Sequence, residues 1–74
     1  MNEKEWINKT KGLLKAELKK KNITYDVLVE KLKGIGIEET TENINNKINR
    51  GKFQAVFLIQ CLTAIGVKKL NIED

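Results

Sequence analysis

Residues 53–65, FQAVFLIQCLTAI, are apolar on nearly every side when wound as a helix. A helix lying on a protein surface shows one apolar stripe, whereas one that is apolar all round has to be enclosed by its neighbours. The longest unbroken apolar run, residues 55–59, is far too short to span a bilayer, so the enclosure has to come from protein. A chain of 74 residues has room for one domain and one small core. The expected centre of that core is therefore this segment, with Val56, Phe57, Leu58, Ile59, Cys61, Leu62 and Ile65 buried and Gly66 ending the helix.

The preceding residues supply the cover. From residue 3 to 21, Trp6, Ile7, Leu13, Leu14 and Leu18 recur at helical spacing among good helix formers with no proline, which predicts a first helix with Trp6 closing the bottom of the core. Asn22 is the expected C-cap and Thr24 the N-cap of a second helix, which runs to about Lys33 and stops at Gly34. Val27, Leu28 and Leu32 form its apolar face, flanked by Tyr25 and Val29. The connection GIGIEE that follows is expected to tuck Ile35 and Ile37 under the domain. Thr40 or Thr41 caps a third helix over about residues 41–50, in which Ile44 and Ile48, four apart, dock on the core. Gly51 supplies a left-handed stop. Val67, Leu70 and Ile72 form an apolar tail over an open edge of the core, and Glu73 and Asp74 fray. The architecture expected is a single all-α domain, residues 1–74, built as a four-helix, repressor-like bundle of the helix-turn-helix kind.

Several function classes are excluded by what is missing. The chain has no histidine, no serine and one cysteine, Cys61, so an internal disulfide, the usual zinc spacings and a serine or histidine catalytic centre are all unavailable. Gly34-Ile35-Gly36 is a bare GxG, and Gly51-Lys52 lacks the upstream glycine and the Ser or Thr of a phosphate-binding loop. Cys61, among Ile59, Leu62 and Ile65, reads as core filler. No enzyme activity, cofactor or metal is expected. The N-terminal residues MNEKEW carry no apolar signal segment, and the expected location is cytoplasmic, away from membranes.

The formal charge is +4 with a pI near 9.3, and the excess lies in one half. Residues 1–33 hold nine lysines against five acids, while residues 34–74 hold five cations against five acids. Wound at 100° per residue, Lys4, Lys11, Lys15 and Lys19 fall within an arc of about 80° beside the apolar seam of the first helix. That line of ammonium groups suits a phosphate backbone; it equally suits a plain solvated face. The abundance of Asn, Lys and Ile, 30 of 74 residues together, has a source independent of function in the codons of an AT-rich genome.

Even so, the third helix is unusual. Asparagines at 43, 45, 46 and 49 cost it about 2 kcal/mol relative to alanine, which asks for tertiary support or for a use of the amides. A short second helix, a turn and a third helix exposing Asn and Arg is the layout that enters a major groove, where Asn pairs with adenine edges and Arg with guanine or phosphate. The expected DNA contacts are Asn45, Asn46, Lys47, Asn49, Arg50 and Lys52, with Lys11, Lys15 and Lys19 as further phosphate contacts.

Ile48-Asn49-Arg50-Gly51 with Lys52, preceded by ITYDVLVEKL and followed by an apolar helix, resembles the phage-repressor and Cro class of helix-turn-helix domains over residues 23–72, except that the connection before the third helix is several residues longer. Over residues 6–66 the chain resembles more closely an uncharacterised bacterial family of short proteins. These share a tryptophan-led first helix with LLKAELK, then ITYDVLVEKL, a run like ENINNKINRGKF, and FLIQCLTAIG. The resemblance implies a helix-turn-helix-like fold and no assigned ligand. The expected function is a small DNA-binding domain, and through that a transcriptional regulator. The alternative is a protein-interaction or homodimerisation module on the same fold, for which Glu42 counts, because an acid on the outward side of the third helix, with Glu38 and Glu39 just before it, repels phosphate. RNA is disfavoured: Trp6, Tyr25, Phe53 and Phe57 are the only aromatics, and they provide no exposed stacking platform.

Overall fold

The structure, a computed structural model, describes residues 1–73; the fraying expected of Asp74 lies outside them. Its four helices are α1, Glu3–Lys20; α2, Tyr25–Gly34; α3, Thr41–Arg50; and α4, Ala55–Ala64, and the described residues contain no strand.

Local sequence starts and stops these helices by hydrogen bonds that can be named. α1 opens on a capping box in which the Glu5 N–H donates to Asn2 Oδ1 at 2.9 Å and the Asn2 N–H donates to Glu5 Oε1 at 3.2 Å. Thr24 caps α2 by accepting from the Val27 N–H, and Thr40 caps α3 by accepting from the Asn43 N–H at 3.1 Å. α1, α2 and α4 end in one shared pattern, with a left-handed residue whose successor donates five residues back: Ile23 to the Leu18 carbonyl, Ile37 to Leu32, and Val67 to Leu62, each at 2.9 Å. Asn22 takes the left-handed position after α1 with φ 56°, one of the few side chains that tolerate it. After α2 that position belongs to Gly36, and Gly34 lies inside the helix. The helix thus ends one residue past the expected Lys33, and the reversal falls on Gly36 and not on Gly34, because a glycine tolerated within the last turn and the glycine that reverses the chain look alike in sequence.

Each helix gives two or three side chains to one core of Leu14, Leu18, Leu28, Leu32, Ile44, Ile48, Phe57, Cys61, Leu62 and Ile65. Ile23, Tyr25, Val29, Ile37, Phe53, Leu58, Val67 and Leu70 pack around its rim. α3 rests on α1 and α2; α4 rests on α2 and, more lightly, on α1.

This arrangement corrects the expected enclosure of the last helix. Val56 and Ile59 are 62% and 60% exposed. With neighbours on two sides only, α4 buries the face of Phe57, Cys61, Leu62 and Ile65 and leaves the opposite one open; an all-round apolar composition does not say which side is covered. Trp6 is likewise 55% exposed and does not close the core. At eighteen residues, or about 27 Å, α1 outreaches the ten-residue α3 and α4 packed against it, and its share of the core begins only at Leu14, which leaves the first turn beyond the core. Val27, Ile35 and Ile72 are exposed as well. Val27 sits about 100° round α2 from Leu28, Ile35 occupies the C-cap, and the tail covers the core with Val67 and Leu70 only.

Candidate nucleic-acid interface

Ile44 and Ile48, both fully buried, fix the inward direction of α3. Advancing about 100° per residue from them, Asn46 points directly outward, Glu42 and Arg50 lie next to that direction, Asn43 and Asn49 come after them on either side, and Asn45 is on the flank; all six are exposed. Asn49 Nδ2 donates to Asn45 Oδ1 at 3.2 Å, so these two amides form a pair one turn apart. Among the described residues Arg50 has no ion-pair partner.

Side chains from both neighbouring helices pin the ends of α3. At its N-terminus, Thr41 Oγ1 donates to Asp26 Oδ1 of α2 at 2.6 Å. At its C-terminus, Lys11 Nζ of α1 donates to the Asn49 carbonyl at 3.1 Å, where a cation meets the negative end of the helix dipole. Gly51 then crosses α1 so closely that a Cβ there would lie 2.6 Å from Ile7 Cγ2 and 3.2 Å from the Ile7 carbonyl oxygen. With φ at 72°, only glycine meets both demands comfortably.

These contacts sort the expected cations by what else they hold. Lys11 is tied to α3 through the Asn49 carbonyl. Lys47 lies 4.9 Å above the Phe57 ring and is paired with the carboxylate of Glu39, whose side chain is only 10% exposed. Lys52 meets Glu3 at 3.5 Å, but both side chains are more than half exposed, and a pair of that kind is readily given up. Lys15 and Lys19 stand about 6 and 12 Å farther along α1 than Lys11, exposed and without an ion-pair partner among the described residues. Lys11 is the member of the lysine line that touches α3; Lys15 and Lys19 stand about 40° and 80° farther round α1.

Glu39 is the residue whose part sequence reasoning missed. It read as an acid repelling phosphate; folded, it neutralises Lys47. The two lie eight residues apart across the turn into α3, a spacing that carries no helical signal. Glu39 and Lys47 also bear on Cys61, whose thiol is pushed up to about 12 chiefly by burial, then by the Glu39 carboxylate, with Lys47 opposing. A thiol so placed is inert. Burial also raises the Tyr25 phenol.

A cleft of about 220 Å³ lined by Lys47, Lys52, Phe53, Gln54 and Phe57 adjoins the end of α3. A larger one, about 430 Å³, lies between α1 and the tail, bordered by Leu13, Ala16, Asn71 and Ile72. Its lysines are engaged, Lys20 with Glu17 at 2.9 Å and Lys9 with Glu73 at 3.5 Å. Leu13 is about 160° round α1 from Lys11, which sets this cleft apart from α3. Among the described residues no group of three or more His, Cys, Asp or Glu side chains gathers to hold a metal, and no helix is long and apolar enough to cross a membrane.

The profile of one protein family, described as a domain of unknown function and designated DUF6471, matches residues 6–70. The chain belongs to this family. The match takes in all but the first three residues of α1, the pinned α3 and the tail through Leu70. No curated protein and no solved structure matches the chain. The DUF6471 assignment thus agrees with the family-level resemblance seen in sequence, and it provides no link to the phage-repressor and Cro class.

Proposed function

We propose that this DUF6471 chain is a small DNA-binding domain of the helix-turn-helix kind, in which α2 and α3 form the motif and α3 enters the major groove. One observation carries the reading: α3 exposes Asn45, Asn46, Asn49 and Arg50 together on a helix held at both ends. Holding the helix in advance lowers the ordering cost of binding. The asparagine amides are offered to base edges, and Arg50 to guanine or to a phosphate.

Lys52, Lys15 and Lys19 join Arg50 as phosphate contacts in this reading. Lys11 and Lys47, engaged inside the protein, act by placing α3 and by supporting Phe57. Four phosphate contacts give a slope of log K against log salt of about −3.6, or a loss of roughly 150-fold between 50 and 200 mM salt. A fluorescence-anisotropy titration on random duplex tests this directly. Replacing Arg50 and Lys52 with alanine should halve the slope to about −1.8. No binding at tens of micromolar protein in low salt would refute the proposal.

Glu42, exposed on the outward side of α3, favours a second reading, a protein-interaction module on the same fold. Such a module would keep its partner affinity in the Arg50 and Lys52 double variant.

A further inference from the structure

Of the four asparagines on α3, Asn49 is the one that the fold holds, among the described residues, at both backbone and side chain. Its carbonyl belongs to the last turn, where no helical N–H reaches it, and it accepts instead from Lys11 Nζ at 3.1 Å. Its side-chain Nδ2 donates to Asn45 Oδ1, one turn back, at 3.2 Å. Asn49 is nevertheless exposed, about 60° from the outward direction of the helix.

The hydrogen bond to Asn45 decides what the Asn49 amide has left to offer. An asparagine amide carries two N–H donors and one acceptor oxygen. One N–H is spent on Asn45, which leaves one donor and one acceptor on the same planar group. In the major groove adenine presents an acceptor, N7, beside a donor, the N6 amino group, and complements that pair. Guanine presents two acceptors, N7 and O6, and asks for two donors; cytosine presents a donor alone, and thymine an acceptor beside a methyl group. An unattached asparagine has a second N–H to turn toward guanine, whereas one that already holds Asn45 does not.

We propose that Asn49 is the residue of α3 that selects adenine, and that Asn45 is a positioning residue that enforces the choice by occupying the second N–H. The inference rests on the DNA-binding reading above and gives it a base. Because the backbone and the amide of Asn49 are both fixed before contact, little side-chain freedom remains to be lost on binding.

Binding-site selection with the full chain on a random-sequence duplex pool, followed by anisotropy titrations on the selected duplex and its single-base variants, tests both roles. The expected result is a position at which adenine is preferred over guanine by on the order of tenfold or more. Asn49→Ala should level that position and leave the others as they were. Asn45→Ala should keep binding but admit guanine there, narrowing the preference by roughly threefold or more. Asn45→Asp, which keeps an acceptor oxygen, should restore the preference even as its charge lowers overall affinity. A residue that merely supported the fold would change affinity for every duplex alike and leave the ratio of adenine to guanine unmoved. Both positions are exposed and alanine is the better helix former, so the alanine variants should keep their helical circular dichroism. Duplex binding with no adenine position that responds to Asn49, or an Asn45→Ala variant with an unchanged preference, would overturn the proposal and leave the DNA-binding reading standing; no binding to any duplex would overturn both.

Discussion

Gly51→Ala offers the sharpest test of how α3 is positioned, because two independent penalties meet at one atom. The backbone there is left-handed, with φ 72°, and holding an L side chain in that conformation costs about 1–2 kcal/mol. The added Cβ would also stand 2.6 Å from Ile7 Cγ2, 3.2 Å from the Ile7 carbonyl oxygen and 3.3 Å from Lys11 Cδ. Ile7 is β-branched within a helix, and its side chain has few other rotamers to adopt. Its carbonyl is part of the α1 backbone. Overpacking of this kind adds about 1–3 kcal/mol, for a total of about 2–5 kcal/mol. Gly36→Ala is the matched control: φ is 84°, yet nothing lies within 4 Å of the added atom, so only the backbone term of about 1–2 kcal/mol applies. At about 4–8 °C per kcal/mol for a domain of this size, thermal unfolding followed by circular dichroism should place the Gly51 variant well below the Gly36 variant. Pairing Gly51→Ala with Ile7→Ala removes the struck methyl group, so the double variant should lose less than the sum of the two single losses. Equal melting temperatures for Gly51→Ala and Gly36→Ala would refute the close crossing of α1.

The two lysine pairs beside the interface should behave differently. Lys47→Met leaves the nearly buried Glu39 carboxylate without its cation and should lower unfolding stability in urea by about 1–3 kcal/mol, whereas Lys52→Met, which breaks an exposed pair, should change it by less than about 0.5 kcal/mol. Cys61, with its thiol held at about 12 against a reference of 9.0, should resist a thiol-reactive disulfide reagent at pH 8 in the folded chain and react promptly in urea; rapid labelling without denaturant would contradict its burial. The sign for stability follows from the same shift: below pH 9 the thiol is protonated in both states and contributes no pH dependence. Between pH 9 and 12 it ionises only when unfolded, which removes about 1.4 kcal/mol of stability per pH unit. A Cys61→Ala variant should show a shallower alkaline decline.

The sequence made one class of feature legible. Helices with an apolar stripe against polar residues, such as Ile44 and Ile48 amid asparagines, reveal their inward face directly. Thr24, Gly51 and the isoleucine pair took the places expected of them because each acts through neighbours three or four residues away. Where composition lacked contrast, the reading failed. Residues 53–65 contain too little polarity to mark a solvent side, so their pattern places Val56 and Ile59 in a core that has room for only one face of α4. Trp6 is apolar and on a helix, but whether any partner reaches its level depends on the relative lengths of packed helices, which no local pattern records.

The cations show the deeper limit. Lys11, Lys15, Lys47 and Lys52 are equivalent in a charge count, yet folding gives them different tasks. Lys11 closes the end of α3, Lys47 answers Glu39, Lys52 holds Glu3 loosely, and Lys15 stands free among the described residues. A net charge of +4 thus overstates neither the attraction for phosphate nor its absence; it simply does not locate it. What locates it is the set of cations left over after the internal acids and carbonyls have been served. Near the end of α3 and along α1 that set is Arg50, Lys15 and Lys19, joined by Lys52, whose exposed pair with Glu3 is readily given up; Lys4, Lys21, Lys31, Lys33, Lys68 and Lys69 are also outside the ion pairs of the described residues. On the proposed DNA-binding reading, substitutions of Lys47 should weaken binding through loss of fold with the salt slope unchanged, whereas substitutions of Arg50 should reduce the slope by about 0.9 with stability unchanged. Measuring stability and salt slope together on both variants separates a lysine that builds the surface from an arginine that uses it.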